Sequence, residues 1–355
     1  MATNIINAPN NRGLIAKRNR HGGKLPKKVG IIYSDAQRKY FSTYEEYLTE
    51  KGAREEAETF IPYLHKLGIK ACVIPGNADL TKCLRREKPN MVINTCATVK
   101  GYDYLGATVP STLELLEIPY TGAAILGFAI GCNKYLTYSL LKSHGIPVPR
   151  FQLLTKTTTP LNQSLRYPLI LKLNEEHSNV EIKRESVVET ESALRKRLRY
   201  LINTYDQDVL LSEFISGREF AVFVFQSQNR KVYATERLIN VPGVDPRFQF
   251  MDYQLVWLTE GKAYGDQLKH AKYHDPLLEN YAKKAFNITY MGSYGKFDVR
   301  MDKLGNYFFI DANANCHFGP PDSFCELATT MEMYGVSFQK VLKRLLQNTM
   351  REWGY

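Results

Sequence analysis

The 355-residue sequence predicts an α/β protein that opens with a doubly wound parallel sheet. Two observations carry this. Short β-branched runs alternate with helix-period stretches from Val29 to Gly122, and the later chain pairs strand signals with turn residues at hairpin spacing. There is no G-x-G-x-x-G after the first strand, which argues against a dinucleotide site.

Val29-Gly-Ile-Ile-Tyr33 reads as a buried strand, and residues 44–66 as mostly helix, with apolar returns at Tyr47, Leu48, Phe60, Tyr63 and Leu64. Gly68 stops that helix, and Ile69–Ile74 is a second strand closed by Pro75-Gly76. Met91–Thr95 is the third, followed by a helix around Ser111–Leu116 and an extended Ile118–Gly122. A second block begins with a helix over Gly127–His144, ended by Gly145-Ile-Pro-Val-Pro149. Strands are expected at Leu169–Lys172, Val180–Lys183, Val209–Phe214 and Glu219–Phe225, with a basic helix at Glu191–Thr204. A third block holds a strand at Val232–Leu238, a Tyr/Asp-rich connection over 241–275 and a helix at Pro276–Thr289. Its last strands, Tyr294–Met301 and Tyr307–Asp311, flank the turn Asp302-Lys-Leu-Gly-Asn306, and a helix over Ser337–Trp353 ends the sequence. The expected domains are a flexible basic tail over 1–28, then 29–125, 126–215 and 216–355.

The net charge of +11 invites a polyanion reading, but seven of those charges belong to residues 1–28, which contain no acid. The clusters Lys183-Arg184 and Arg195–Arg199 read as solvated edges, so neither nucleic acid nor a membrane is an expected partner. No run approaches 18 apolar residues and no signal-type apolar core follows the basic segment, which makes the cytoplasm the expected compartment. Six scattered cysteines without a C-x-x-C pair fit free thiols rather than a disulfide framework or structural zinc.

The chemistry concentrates in a few places. Asp298 lies on one strand of the late hairpin, and Asp311 and Asn313 leave the other at alternate positions, so all three can face one side. Two carboxylates and an amide are oxygen donors that suit Mg²⁺ when it also holds phosphates, although acids near hairpin ends are more often simply solvated. Lys172 ends an apolar strand and Lys134 lies early in a helix, each set to meet an anion, or else to snorkel. Glu219 follows the strand and turn Leu211-Ser-Glu-Phe-Ile-Ser-Gly-Arg218, where it would accept from ribose hydroxyls or pair with Arg218 or Arg237 at the surface.

The order of these pieces resembles the ATP-grasp fold, and within it the D-alanine–D-alanine ligase group, from about residue 29 to 345. Leu113-Glu-Leu-Leu-Glu-Ile-Pro-Tyr-Thr-Gly122, Asn133-Lys134 and Gly145-Ile-Pro-Val-Pro149 are similar to that group's L-E-L-x-x-I-P-Y-T-G, D-K and G-I-P-x-P series. Ser212–Glu219 resembles its E-x-x-I-x-G-x-E hinge, while Phe297-Asp298 and Ile310-Asp311-Ala-Asn313 resemble its two metal strands. The resemblance implies ATP between the second and third blocks, with Lys134 and Lys172 on phosphate, Glu219 on ribose, and Glu213, Phe214 and Ile215 beside adenine. It implies Mg²⁺, or Mn²⁺ in its place, on Asp298, Asp311 and Asn313. The implied reaction is carboxylate–amine ligation through an acyl phosphate, with Lys296, Ser178 and Arg300 as catalytic residues and Lys296 where the group has Arg. Small carboxylate and amine substrates and a homodimer are further implied.

The departures fall mainly on the amino-acid side. The group's G-G-x-S-x-E loop is replaced by Ser34-Asp-Ala-Gln-Arg-Lys39, and H-G-x-x-G-E-D-G by Thr95–Gly106. Its flexible E-G-S-S-V-G loop reads Glu176-His-Ser-Asn-Val-Glu181, keeping Ser178 and losing both glycines. The lid Asp252-Tyr-Gln-Leu-Val-Trp257 has no Lys at its usual place, and Cys316-His317 stand where the group ends its carboxylate loop in Pro-Gly. The expectation is therefore a ligase with at least one substrate other than D-alanine, such as an amino acid joined to a small metabolite. A catalytically inactive nucleotide-binding or interaction protein is the alternative.

Overall fold

The computed structural model describes residues 23–227, 230–257, 265–323 and 325–355. Most of the expected basic tail thus lies outside the described residues, but its last part does not behave as a tail. Gly23 is buried and Leu25 packs on the core, so the folded chain begins before the first strand.

The N-terminal part contains β1 (Lys28–Ser34), α1 (Tyr44–Glu50), α2 (Ala53–Glu58), α3 (Phe60–His65), β2 (Lys70–Gly76), α4 (Leu80–Glu87), β3 (Met91–Asn94) and α5 (Thr108–Leu115). Its sheet is parallel in the order β2-β1-β3, as the alternating pattern requires. Ile118–Gly122 adds only a parallel bridge between Val92 and Tyr120, not a full strand. The single helix expected over 44–66 is three. Gly52 sits at the entry to α2, and Pro62, which has no N–H to donate, falls in the first turn of α3.

The central part holds α6 (Ile125–Gly131), α7 (Lys134–Ser143), β4 (Phe151–Leu154), β5 (Leu169–Leu173), β6 (Val187–Val188), α8 (Glu191–Tyr205) and β7 (Val209–Glu213), with an antiparallel sheet in the order β4-β7-β5-β6. The helix expected over 127–144 breaks at Cys132, because Asn133 caps a new one by accepting from the Leu136 N–H at 3.0 Å. The strand expected at Val180–Lys183 is absent. Ser178, Asn179 and Glu181 are left-handed, and the buried Glu181 carboxylate takes Arg197, Tyr200 and Tyr205 as partners.

The C-terminal part adds β8 (Arg218–Phe225), β9 (Lys231–Ile239), α9 (Tyr253–Trp257), β10 (Leu268–Tyr273), α10 (Pro276–Ile288), β11 (Tyr294–Met301), β12 (Tyr307–Asn313), α11 (Glu326–Met333) and α12 (Phe338–Glu352). The sheet is antiparallel, in the order β10-β9-β8-β11-β12. The connection over 241–275 thus supplies an edge strand and a short helix that its composition does not announce. One face of this sheet packs on α10 through Val222, Phe297 and Phe309; the other meets α11 and α12. The amphipathic α12 buries Leu342 and Leu346 in a core shared with Ile31, Phe60 and Leu64 of the N-terminal part. Phe338 meets Phe60 and Tyr63 edge-on, so the last helix fastens the first domain over the end of the C-terminal sheet. No helix among the described residues is long and apolar enough to cross a membrane.

Candidate active site

The three parts meet around a cleft of about 530 Å³. Lys134, Lys172, Ser178, Glu213, Phe214, Ile215, Glu219, Lys296, Asp298, Arg300, Asp311 and Asn313, the residues singled out in the sequence, all line it. Period-two alternation explains the strand contributions. On β11, Phe297 and Val299 turn into the core, which leaves Lys296, Asp298 and Arg300 on the cleft side.

Asp298 lies opposite Asp311 and Lys296 opposite Asn313, so two carboxylates and an amide face the cleft at one end of two paired strands. The pairing then slips, Val299 facing Phe309, and Ile310 becomes the extra residue of a bulge. Its carbonyl accepts from the Lys172 ammonium at 2.9 Å and the Tyr138 hydroxyl at 2.9 Å. The bulge thus supports the expected phosphate lysine. Burial holds the Lys172 pKa below the ordinary lysine range, against the pull of Asp311. The Lys134 ammonium donates to the Glu176 carbonyl, which ties the start of α7 to the loop ahead of Ser178.

A residue the sequence reading treated only as a surface partner organises the acids. Arg237, opposite Glu219 in register, is 5% exposed. Its guanidinium reaches Glu219 at 2.8 Å, Asp298 at 2.7 Å and Glu326 at 2.6 Å. Lys296 adds contacts of 3.3 Å to Asp298 and 3.4 Å to Glu326. Burial disfavours the Glu326 charge, but Arg237 and Lys296 outweigh it and hold its carboxyl well below the usual range. Burial likewise opposes the Lys296 charge, and Asp298 and Glu326 overcome it, leaving the pKa above that of a free lysine.

Two expectations are corrected here. Glu219 is not an unpaired surface acceptor: one carboxylate oxygen is held by Arg237 and the other by Arg300 at 2.7 Å, so a ribose hydroxyl would add to these bonds through a remaining lone pair. Arg300 is not free to act on reacting atoms. It is 2% exposed, donates to Glu219 and to the Gly217 and Gln249 carbonyls, and lies over the Phe214 ring at 5.0 Å. Arg218 pairs with Glu236 instead of Glu219. The sequence carries no signal for Arg237, because its strand, Lys231-Val-Tyr-Ala-Thr-Glu-Arg-Leu-Ile239, reads as a charged edge and only the register sets it against Glu219.

Glu213 ends β7, and Phe214 and Ile215 begin its link to β8. The Glu213 carboxylate accepts from the Arg166 N–H at 3.0 Å, and Phe214 packs on Phe250 with ring centroids 5.5 Å apart. Glu50, Glu56, Asp103, His177, Cys316 and His317 line the cleft as well. Ligand atoms of Asp103, Glu176 and His177 come within 4.8 Å of one another, the spacing of a cation site. His177 however faces Asp103 at 2.9 Å through Nδ1 and Glu50 at 2.6 Å through Nε2, so neither ring nitrogen presents a lone pair to a metal. The donor set at Asp298, Asp311 and Asn313, all hard oxygens beside buried lysines, is the one that fits Mg²⁺.

With this geometry established, the chain can be compared with known proteins. Residues 140–347 match the family model of the D-Ala D-Ala ligase C-terminus. An uncharacterized protein, y4sG, of Sinorhizobium fredii is 23% identical over 313 residues, 84% of this chain and 88% of that one. The D-alanine–D-alanine ligase of Haemophilus influenzae is 25% identical over 74% of this chain and 84% of its own length. A D-alanine–D-alanine ligase from Bacillus anthracis, solved in complex with ATP, superposes with a TM-score of 0.69 at 17% identity, covering 92% of this chain and 98% of that one.

Proposed function

Because the chain belongs to the D-alanine–D-alanine ligase family and has the ATP-grasp fold, we propose that it is an ATP-dependent ligase that joins a carboxylate to an amine other than in the D-alanine pair. The observation that carries this reading is the convergence of Lys134, Lys172, Asp298, Asp311 and Asn313 on one cleft from four separate elements.

In this reading Lys172 and Lys134 bind the nucleotide phosphates as point charges, and Glu213, Phe214 and Ile215 border the base. Asp298, Asp311 and Asn313 hold the Mg²⁺, which when bound neutralises charge on the transferring phosphate. Arg237 positions Asp298 by an ion pair with one carboxylate oxygen, while Asn313 donates to the other at 3.3 Å. The substrate carboxylate takes up the phosphoryl group, and the amine then displaces phosphate from the acyl carbon to give an amide. Lys296, beside Asp298 and Glu326, stabilises the oxyanion of that second step. As a compact ammonium it does so without the fork that an arginine offers. Ser178, in the loop after Lys172, contributes at the phosphate end.

The proposed change of substrate rests on the loop sequences. The loops Ser34–Lys39, Thr95–Gly106 and Ala314–Gly319 carry none of the family motifs for the first amino acid, and a site that loses its polar partners for an amine loses selectivity for it. ADP release from Mg-ATP with a panel of carboxylates and amines tests the reading. ADP formed only when both partners are present supports it. ATP binding with no release under any pairing would favour a nucleotide-binding protein without ligase activity.

A further inference from the structure

Loop 174–183 lines the cleft between Lys172 and the N-terminal part, and besides its own Val180–His177 and Ile182–Asn179 backbone bonds it is tied outward by side chains. Trp257 Nε1 donates to the Ser178 carbonyl at 2.8 Å, Asn179 Nδ2 to the Met251 carbonyl at 3.2 Å, and Lys183 pairs with Glu45 at 2.7 Å. At its head stands His177. We propose that His177 is a positioning residue, an imidazolium that clasps the phosphate loop to the N-terminal domain by bridging Glu50 and Asp103. This rests on reading the loop as the one over the nucleotide phosphates, and goes further by naming what holds it there.

The protonation state follows from the geometry. Glu50 and Asp103, 5% and 7% exposed, come from different segments, the end of α1 and the stretch before α5. They approach opposite nitrogens of one ring, at 2.6 Å and 2.9 Å. An ionised carboxylate only accepts, so both nitrogens must donate, and only the cation has two N–H groups. The other oxygen of Glu50 accepts from Thr98 Oγ1 at 3.2 Å, which fixes its orientation. Burial works against the His177 charge, but Asp103 and Glu50 outweigh it and lift the pKa well above the usual histidine value. The groups around the clasp are Glu46 on α1, Cys132 behind Asp103, Lys134 at the start of α7, and Glu176 in the loop itself. Glu56 and His317 lie on the far side of Glu50.

With both nitrogens engaged, His177 has no atom left for substrate and acts through the loop. The loop needs such a hold. Ser178, Asn179 and Glu181 have φ of +54°, +60° and +59°, a region that residues with a Cβ occupy when their surroundings force them to. The family's flexible loop has glycine, with its conformational freedom, where this chain has His177 and the left-handed Glu181. Here the clasp substitutes charge for that freedom, with a definite pH dependence. A histidine whose pKa is raised by its partners contributes fully below about 6.5, its free value, and the contribution is lost as pH rises through the raised value.

Hydrogen exchange of the whole chain without nucleotide tests this independently of any ligase activity. After correction for intrinsic rates, amides 175–182 of the wild type lose protection as pH rises. In His177→Gln they exchange at least about tenfold faster at neutral pH, because the two buried carboxylates are left unpaired. His177→Arg, which stays charged and can bridge two acceptors, retains protection across the range. If His177→Gln fails to fold by circular dichroism, Glu50→Gln gives the same loosening. Protection in the variant equal to that of the wild type, a wild-type profile flat with pH, or exchange in His177→Arg as fast as in His177→Gln would each overturn the proposal. Failure of ADP release would instead overturn the ligase reading and leave the exchange result standing.

Discussion

The lining of the cleft is built on two kinds of backbone. Lys172, Glu219, Arg237, Lys296, Asp298, Asp311 and Asn313 sit on strands, where Arg237 pairs with Glu219 and Asp298, and Lys296 with Asp298. Asp103, His177, Cys316 and His317 stand on loops. Strands supply rigid, preorganised positions for side chains, while loops can vary without disturbing the sheet. The difference teaches that the loop side chains of this cleft can change without moving its strand-borne acids and lysines.

The largest expected effect comes from removing a strand acid. Asp311→Ala lowers ADP formation by roughly a thousandfold, since phosphate charge is then left without its metal ligand. Undiminished turnover would remove Asp311 from the mechanism and break the comparison on its strand side. Arg237→Gln leaves Glu219, Asp298 and Glu326 short of a cation and costs about 3 kcal/mol of stability, measured by chemical denaturation. A loss confined to activity would make Arg237 a substrate contact instead of a support. Lys172→Met raises the KM for ATP by about tenfold, as one charge-assisted phosphate contact is removed. Isothermal titration with ATP checks it.

The smallest effect belongs to Glu56 on α2. Burial, with help from Glu50 and Glu55, lifts the Glu56 carboxyl to about 7. The folded protein then keeps a proton that the unfolded chain has released, so stability falls as pH rises from about 4.5 to about 7. Nearly half of the Glu56 side chain is in water (46%), so the change stays under about 1 kcal/mol. Thermal unfolding of Glu56→Gln is expected to lack this slope. An identical slope in the variant would assign it to another group.

The same contrast governs what the sequence discloses. Asp298, Asp311 and Asn313 were legible because a strand repeats every two residues and its turn residues mark the hairpin. The α8 and α12 helices were legible from apolar periodicity. The pairing of Glu219 with Arg237 and Arg300 was not, because it depends on register between β8 and its neighbours on both sides. The Glu50–His177–Asp103 contact joins residues up to 127 positions apart through loops without periodicity, and no local pattern reports it. The strand expected at Val180 failed for a related reason. A short apolar run says nothing about a neighbouring glutamate that must be buried with its own partners.

The most direct test of the account is the product formed from Mg-ATP by the purified full chain, assayed with D-alanine alone and with a panel of other carboxylate and amine pairs. We predict stoichiometric ADP, phosphate and a new amide with a pair other than D-alanine, and at most trace D-alanyl-D-alanine. Efficient synthesis of D-alanyl-D-alanine, at the expense of every other pair, would contradict it.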